Sequence, residues 1–422
     1  ENEKETTFSL IRGVASRLSQ LGFKVGGFDA FSTSDVLSGS GLSSSAAFET
    51  LVGSIINIKY NDCKANEAEI AKIGQYAENV YFGKPSGLMD QTACAVGGFS
   101  FIDFADPAAA KIEKLYEQAV RNGAPVIGVF DSAGAVVYDG ATALSAYGRV
   151  MKCVSDASGI IPQIAYVSGA CGGMAAAIAS MFDFTVTAEG ESALYVNAPN
   201  VVGGKADAAS ARENGLSAIT AADGAAAVAA VRELVALLPS HNRDVADVEP
   251  TDDPARFVPA DELTGLALVK ALADNGQVID LYEAFAPELT TALCAIGGRT
   301  CGVIATDASV EDGKLTAKGA RKAARMVSFC DAFSIPVVTL VDSVGVDNSS
   351  PREPAPVFGK LAKAYATATT AKISVVVGNA YGAAFTLLGS RALGADLALA
   401  LPGTVISVLP PEVAVAFLMN DQ

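Results

Sequence analysis

The stretch Gly123-Ala-Pro-Val-Ile-Gly-Val-Phe-Asp-Ser-Ala-Gly134 decides the fold, because the chain repeats it as Ser334-Ile-Pro-Val-Val-Thr-Leu-Val-Asp-Ser-Val-Gly345. Each copy is an apolar run that ends in Asp-Ser-x-Gly, and this pattern predicts a buried strand followed by a turn. The prolines, the aspartates and the final glycines of the two copies are each 211 positions apart. This constant separation predicts two homologous halves that arose by duplication of one domain.

A glycine-rich stretch follows in each half, at Ser168-Gly-Ala-Cys-Gly-Gly-Met-Ala175 and at Val377-Gly-Asn-Ala-Tyr-Gly-Ala-Ala384. Both lie between a predicted strand and a helix of small residues, where backbone N–H groups can stabilise a developing oxyanion. The alternative is that these turns only pack a helix against a strand. The candidate residues for such oxyanion turns are Cys171, Gly172, Gly173 and Met174 in the first half and Tyr381, Gly382 and Ala383 in the second.

The composition is that of a tightly packed α/β protein. Half of the 422 residues are hydrophobic and 18% are charged, and no apolar run has the length and purity of a membrane span. The net charge of −16 argues against nucleic acid as a partner, since no basic patch is present to neutralise phosphates.

The cysteines and the histidine of the chain argue against a metal site and against a histidine-dependent active site. The seven cysteines form no Cys-x-x-Cys pair, which indicates buried thiols in a reducing compartment, and we therefore expect a cytoplasmic protein without a metal site. The single histidine, His241, lies in a segment rich in Pro and Asp. A Ser-His-Asp triad or a histidine-ligated metal is accordingly not expected.

A glycine- and serine-rich loop occurs near the N-terminus, before a predicted helix. The serines can cap free N–H groups at the start of that helix, and its partial positive charge can hold phosphates. The alternative is a capped helix without a ligand. The candidate phosphate-binding residues are Gly39, Gly41, Ser43, Ser44 and Ser45.

The segments Gly-Ser-Gly-Leu-Ser-Ser-Ser-Ala-Ala-Phe-Glu (39–49) and Gly-Lys-Pro-Ser-Gly-Leu-Met-Asp-Gln (83–91) resemble galactokinases of the GHMP kinase family. The resemblance implies ATP and Mg²⁺ at the loop, and it implies that Asp90 acts on a sugar hydroxyl. An N-cap role is the alternative for Asp90. The family's sugar-binding motif and its C-terminal glycine-rich motif do not occur in this sequence, so residues 1–114 are interpreted as a partial α+β kinase-like segment.

From about residue 115 onward the sequence resembles the carboxyltransferase subunits of biotin-dependent acyl-CoA carboxylases and decarboxylases. The resemblance rests on Gly-Ala-Pro-Val-Ile-Gly-Val-Phe-Asp-Ser-Ala-Gly-Ala (123–135), Gly-Gly-Arg-Thr-Cys-Gly-Val-Ile-Ala (297–305) and Val-Val-Val-Gly-Asn-Ala-Tyr-Gly-Ala-Ala-Phe (375–385), among other segments. It implies an α/β fold of two crotonase-like (ClpP/crotonase) domains. It further implies an acyl-CoA thioester substrate, biotin on a biotin carboxyl carrier protein, and a homo-oligomer with sites between facing domains of two subunits.

Where the family has Asp-Ser-Gly-Gly-Ala-Arg, this chain has Asp-Ser-Ala-Gly-Ala-Val at 131–136, so the acyl-CoA is left unnamed. The predicted domains are 1–114, 115–243 (without its first strands) and 244–422 (ending in mid-helix), which favours a gene fusion or a chimera. A galactokinase and a non-catalytic assembly subunit are the alternatives.

The predicted strands are 26–33, 99–103, 112–115, 126–130, 159–167, 184–187, 279–283, 299–305, 337–341, 373–377 and 396–400. The predicted helices are 11–21, 70–80, 116–122, 141–157, 174–180, 263–275, 314–332, 357–370 and 383–392.

Overall fold

The chain forms two compact units, Glu1–Ile102 and Asp103–Gln422. The computed structural model describes residues 6–33, 44–83, 91, 94–95, 99–101, 108–135, 140–246, 249, 252–253, 255–260, 262–350, 352 and 354–419. Within these residues, no helix combines the length and apolarity that crossing a membrane requires.

Within the part of the first unit that the structure describes, three helices have ten or more residues. They are α1 (Thr7–Gln20), α2 (Ser44–Asn61) and α3 (Glu67–Tyr76), which continues as a π-helix (Ala77–Phe82), and a short strand β1 (Phe99–Phe101) follows. An Asn66–Glu69 capping box starts α3, with both side chain to backbone bonds at 2.9 Å. The core of the unit is Val14, Leu18, Val52, Ile56, Ala65, Ile70, Ile73 and Ala77.

Two strand predictions near the N-terminus are wrong. Residues 26–33 form no strand. Side chains of α2 bind the backbone just before this segment and at its start. Asn61 exchanges hydrogen bonds of 2.8 and 2.9 Å with the Lys24 backbone, and the Tyr60 hydroxyl donates to the Gly27 carbonyl. Residues 112–115 are helical instead of extended, since Ile112 and Tyr116 lie on the buried face of a helix.

The first half of the second unit alternates helices with parallel strands. Its elements are α4 (Ala108–Asn122), β2 (Val126–Ser132), α5 (Gly140–Ala157), β3 (Gln163–Gly172), α6 (Met174–Met181), β4 (Phe184–Ala188), β5 (Ala193–Tyr195), α7 (Pro199–Val202), α8 (Ala208–Glu213), β6 (Ile219–Ala221) and α9 (Gly224–Leu237). The strands run in the order β2-β3-β4-β6, and β5 pairs with the end of β3. Strand β3 begins later than predicted, after Pro162, which has no N–H to donate.

The second half repeats this arrangement with additional strands. Its elements are α10 (Gly265–Leu272), β7 (Val278–Leu281), β8 (Leu289–Ile296), β9 (Arg299–Thr306), α11 (Ala317–Ala332), β10 (Val337–Ser343), α12 (Ala355–Thr367), β11 (Lys372–Tyr381), α13 (Gly382–Leu387), β12 (Leu397–Ala400), β13 (Val405–Ser407) and α14 (Pro411–Met419), with 3-10 helices at Asp274–Gly276, Glu311–Gly313 and Arg391–Leu393. The order is β12-β11-β10-β9-β8-β7, and β13 pairs with the end of β11.

The predicted duplication is confirmed by the topology. Strands β2, β3, β4 and β5 correspond to β10, β11, β12 and β13, which have the same order and the same parallel sense. The positions that precede β7 by 211 residues belong to helix α3. Strand β7 therefore has no counterpart at those positions. The sequence analysis did not predict β8, which pairs antiparallel with β9 through the tight turn at Gly297 and Gly298.

The two halves of the second unit share one hydrophobic core. The rings of Phe184 and Phe329 meet edge to face with centroids 4.6 Å apart. The Arg325 guanidinium on α11 donates to the carbonyls of Phe182 (3.2 Å) and Asp183 (2.8 Å). These contacts fix helix α11 of the second half against the start of β4 in the first.

Candidate active site: two strand-to-helix turns

The first turn joins β3 to α6 through Gly173. This residue has φ 62° and ψ −131°, a conformation that residues with a Cβ adopt only with strain. Its N–H donates to the Tyr195 carbonyl of β5 at 2.9 Å. Gly173 therefore contributes its conformation, while the N–H groups that open α6, beginning with Met174, have no partner within the helix.

Close packing holds this turn in place. A Cβ on Gly172 would lie 2.6 Å from the Ala133 carbonyl oxygen and 2.8 Å from the Tyr195 ring. Cys171 is fully buried, and this burial raises the pKa of its thiol to about 12. A protonated, enclosed thiol is a poor nucleophile, so Cys171 contributes backbone geometry to the turn.

The second turn has the same construction. Strand β11 ends at Tyr381, and Gly382 opens α13 with φ 55°. Strand β13 lies beside the turn as β5 does in the first half, with Tyr381 opposite Ser407. The Tyr381 hydroxyl donates to the Asn379 side-chain oxygen at 2.7 Å. The N–H groups that open α13, beginning with Ala383, are in the same position as those of α6.

Sequence reasoning missed the serines that hold the loops beside the turns. Ser132 and Ser343 accept hydrogen bonds from the N–H groups of Gly134 (3.4 Å) and Gly345 (3.2 Å). A Cβ on Gly134 would lie 4.0 Å from the Gly172 carbonyl oxygen, and a Cβ on Gly345 would lie 3.9 Å from that of Tyr381, so each loop lies beside its turn. The repeated Asp-Ser-x-Gly pattern was a signal for this role. Tyr195 was missed because β5 was not predicted.

Exposed apolar side chains occur in the chain segments that adjoin β5 and β13, the strands that lie beside the two turns. In the first half they belong to the turn itself and to the segment after β5, and in the second half to the segment after β13 and to α14. They are Met174, Val196, Val201 and Val202 in the first half and Val408, Leu409, Val413, Val415, Phe417 and Leu418 in the second. We refer to these two sets as the first and second apolar collars. An exposed apolar surface of this kind is typical of a binding or assembly surface.

The kinase-like residues fall only partly within the described chain. Gly39, Gly41, Ser43 and Asp90 lie outside the described residues. Ser44 is the first residue of α2, beside a cavity of about 580 Å³. The Ser45 hydroxyl donates to Glu78 Oε1 at 2.7 Å.

Glu78 is part of a polar network that the sequence analysis did not anticipate. Gln91 Nε2 donates to Glu78 Oε2 at 2.7 Å and to Glu49 Oε2 at 3.2 Å. Both carboxylates are buried. Ser45 is thus bound to a buried carboxylate of the first unit. Among the described residues, no group of three His, Cys, Asp or Glu side chains is arranged to hold a metal ion.

Comparison with known proteins gives two family matches. The model described as "Carboxyl transferase domain" matches residues 82–422, and "GHMP kinases N terminal domain" matches residues 9–98. The predicted boundaries at 114/115 and 243/244 stay predictions.

Among curated proteins, the propionyl-CoA carboxylase beta chain of Roseobacter denitrificans is 37% identical over 352 residues, 78% of this chain and 68% of the relative. The methylmalonyl-CoA carboxyltransferase 12S subunit of Propionibacterium freudenreichii is 30% identical over 365 residues, 81% and 68% of the two chains. The methylmalonyl-CoA decarboxylase subunit alpha of Veillonella parvula is 31% identical over 331 residues, 72% and 64%. The chain spans about two thirds of the length of these relatives.

Among solved structures, transcarboxylase 12S, described as a hexamer with hydrolysed methylmalonyl-coenzyme A bound, superposes with a TM-score of 0.71 at 30% identity. The match covers 75% of this chain and 66% of that one. The relatives are carboxylases, carboxyltransferases and decarboxylases, so neither the galactokinase nor the non-catalytic alternative is favoured. The second unit has the duplicated crotonase-like fold of the 12S carboxyltransferase, and the chain belongs to the carboxyl transferase domain family.

Proposed function

We propose that the chain is the carboxyltransferase component of a biotin-dependent acyl-CoA carboxylase or decarboxylase. The observation that carries the proposal is the pair of strand-to-helix turns, built alike around Gly173 and Gly382 in a member of this family. The relatives whose names mention propionyl-CoA and methylmalonyl-CoA support an acyl-CoA thioester as the substrate. Neither the acyl chain nor the direction of transfer is part of the proposal.

The turns suit a reaction that passes through an enolate. When carboxyl and α-carbon separate, the bonding electron pair moves into the thioester, and its oxygen acquires negative charge. The N–H groups at Met174 and Ala383 are preorganised donors at helix openings, where such a charge is stabilised without reorganisation. One turn would hold the thioester oxygen and the other the carbonyl of biotin.

The residues present fit biotin as a neutral ligand. The opening of α13 is Gly382-Ala-Ala, whose small side chains leave the backbone N–H groups accessible to a carbonyl oxygen. Biotin on a separate carrier protein supplies the ureido nitrogen that takes or gives the carboxyl group. The chain's own contribution is to bind, orient and polarise the two carbonyl groups.

We further propose that two copies assemble through the apolar collars. The homologous 12S protein is described as a hexamer, and both collars consist of exposed apolar side chains. Facing collars would bring the first turn of one copy opposite the second turn of another and would exclude water between them. A cytoplasmic location is part of the same proposal, because no disulfide joins the cysteines that the structure describes, although Cys294 and Cys301 are opposite each other in β8 and β9.

The test is an assay of carboxyl transfer by the whole chain. Methylmalonyl-CoA or malonyl-CoA is incubated with a biotinylated carrier protein, and formation of propionyl-CoA or acetyl-CoA is followed by chromatography. Appearance of product that requires the biotinylated carrier supports the proposal. A folded chain that forms no product from either substrate, while a full-length relative does, contradicts it.

A matched pair of glycine variants addresses the turn. Gly382→Ala places a Cβ 3.2 Å from the Val408 carbonyl oxygen at a φ of 55°, whereas Gly403→Ala, also at a positive φ (87°), meets nothing within 4 Å. We expect only the first to lower kcat. ATP-dependent phosphorylation of galactose, measured as ADP release, is the assay that would revive the kinase-like alternative with its ATP and Mg²⁺.

A further inference from the structure

An aspartate at the end of a strand is packed against the start of each glycine-rich stretch. Asp342, at the end of β10, accepts a hydrogen bond from the Asn379 N–H at 2.6 Å. A Cβ on Gly378 would overlap the same carboxylate. In the first half, a Cβ on Gly169 would overlap the carboxylate of Asp131 in the same way. The close packing of aspartate on glycine therefore occurs twice in the chain.

The contact lies where the strand register changes. Strands β10 and β11 pair in step up to Val341 opposite Val376, and the next pair is Ser343 opposite Ala380. Two steps along β10 thus match four along β11. The first half has a bulge of the same size, because Phe130 lies opposite Val167 and Ser132 opposite Cys171.

A bulge interrupts the ladder of backbone hydrogen bonds and re-aims the residues that follow it. Asn379 lies inside the bulge between β10 and β11, and its N–H donates to the Asp342 carboxylate. The side-chain oxygen of Asn379 accepts a hydrogen bond from the Tyr381 hydroxyl at 2.7 Å. A continuous path of contacts therefore leads from the Asp342 carboxylate to the residue immediately before Gly382.

We propose that Asp342, and Asp131 in the first copy, are positioning residues for the oxyanion turns. Their carboxylates fix the shape of the bulge and hence the direction of the N–H groups that open α13 and α6. This inference rests on the proposed function, since positioning matters for carboxyl transfer. Asp342 acts through Asn379 and Tyr381, and it is not a catalytic residue.

The test compares Asp342→Ala and Asp342→Asn with a control carboxylate, Asp331 of α11, which binds the backbone at the other end of β11. Asp331 accepts from the N–H groups of Thr369 (2.6 Å) and Thr370 (3.1 Å) just before β11 begins. Asp331→Ala therefore removes the same kind of carboxylate to backbone bond at the opposite end of β11. All variants are made in the whole chain, and amide hydrogen exchange is measured by mass spectrometry together with kcat and KM for the acyl-CoA.

For Asp342→Ala we expect exchange in residues 376–384 to rise about tenfold or more, because the charged acceptor is lost. Exchange in residues 163–172 should stay unchanged. The kcat should fall by about tenfold or more with little change in KM. Asp342→Asn keeps an oxygen at the same place. Its exchange in residues 376–384 and its kcat should therefore lie between those of the wild type and Asp342→Ala. Asp331→Ala should raise exchange at 369–372 and leave residues 376–384 and kcat as in the wild type.

The inference is overturned if folded Asp342→Ala leaves exchange in residues 376–384 at the wild-type rate, or if Asp331→Ala lowers kcat as much as Asp342→Ala does. If the wild-type chain transfers no carboxyl group, the proposed function fails, whereas the exchange data still decide whether the carboxylate shapes the turn. If Asp342→Ala does not fold, Asp342→Asn and Asp131→Ala are measured in its place, the latter over residues 167–174. Exchange that stays at the wild-type rate in these variants would likewise overturn the inference.

Discussion

Replacing Gly173 by alanine would test the first turn with one methyl group. A Cβ at this position meets nothing within 4 Å, so the substitution creates no overlap. Its whole effect comes from φ 62° and ψ −131°, where a residue with a Cβ is strained by about 1–3 kcal/mol. The backbone can relieve this strain by rotating the peptide between Gly173 and Met174, which turns the Met174 N–H away from the oxyanion.

The expected result is a loss of stability and a larger loss of activity. The free energy of unfolding should fall by about 1–3 kcal/mol. Loss of one oxyanion donor typically lowers kcat by about 10²–10³. The control is Gly190→Ala, in the turn between β4 and β5, where φ is 71° and a Cβ again meets nothing within 4 Å. It should lower stability by a similar amount and leave kcat unchanged.

Urea unfolding followed by circular dichroism gives the stability, and the carrier-dependent decarboxylation of methylmalonyl-CoA gives kcat. The reasoning is refuted if Gly173→Ala is folded and its kcat stays within about threefold of that of Gly190→Ala. In that case the N–H groups that open α6 do not stabilise the reacting oxygen.

The other predictions concern a buried lysine, an arginine that joins the two halves of the second unit, and two cysteines of different exposure. Burial of Lys322 lowers its pKa to about 8, so the native state prefers the neutral amine and the stability contributed by this group rises as the pH increases from about 8 to 10.5. The unfolding free energy of the wild type minus that of Lys322→Met should therefore increase over this pH range. A difference that does not change with pH would contradict this prediction. Arg325→Met removes two hydrogen bonds that join the halves and should lower the unfolding free energy by about 1–3 kcal/mol without changing KM for the acyl-CoA. Iodoacetamide at pH 8 should alkylate exposed Cys63 and not buried Cys171, and peptide mass spectrometry would reveal equal labelling if this is wrong.

Much of the fold could be predicted from the sequence because the relevant signals are local. The apolar run of β2 that ends in Asp131, and its copy at Asp342, are specified by neighbours along the chain. The positions of the two glycine turns follow from the same repeat. Helix α4 shows the limit of this approach, since the short segment Ile-Glu-Lys-Leu at 112–115 was assigned to a strand, whereas Ile112 and Tyr116 lie on the buried face of a helix.

The tertiary structure alone decided the hydrogen-bond partners. Gly173 was predicted as an N–H donor, but β5, which lies more than twenty residues further along the chain, supplies the Tyr195 carbonyl that accepts its N–H. Asn61 and Tyr60 bind the backbone at Lys24 and Gly27, at the start of a segment that was predicted as a strand and forms none. Periodicity and turn residues reflect what each residue prefers beside its neighbours. The partner of a polar group depends on which distant segment the packed core brings within about 3 Å, and local sequence patterns do not show which segment that is.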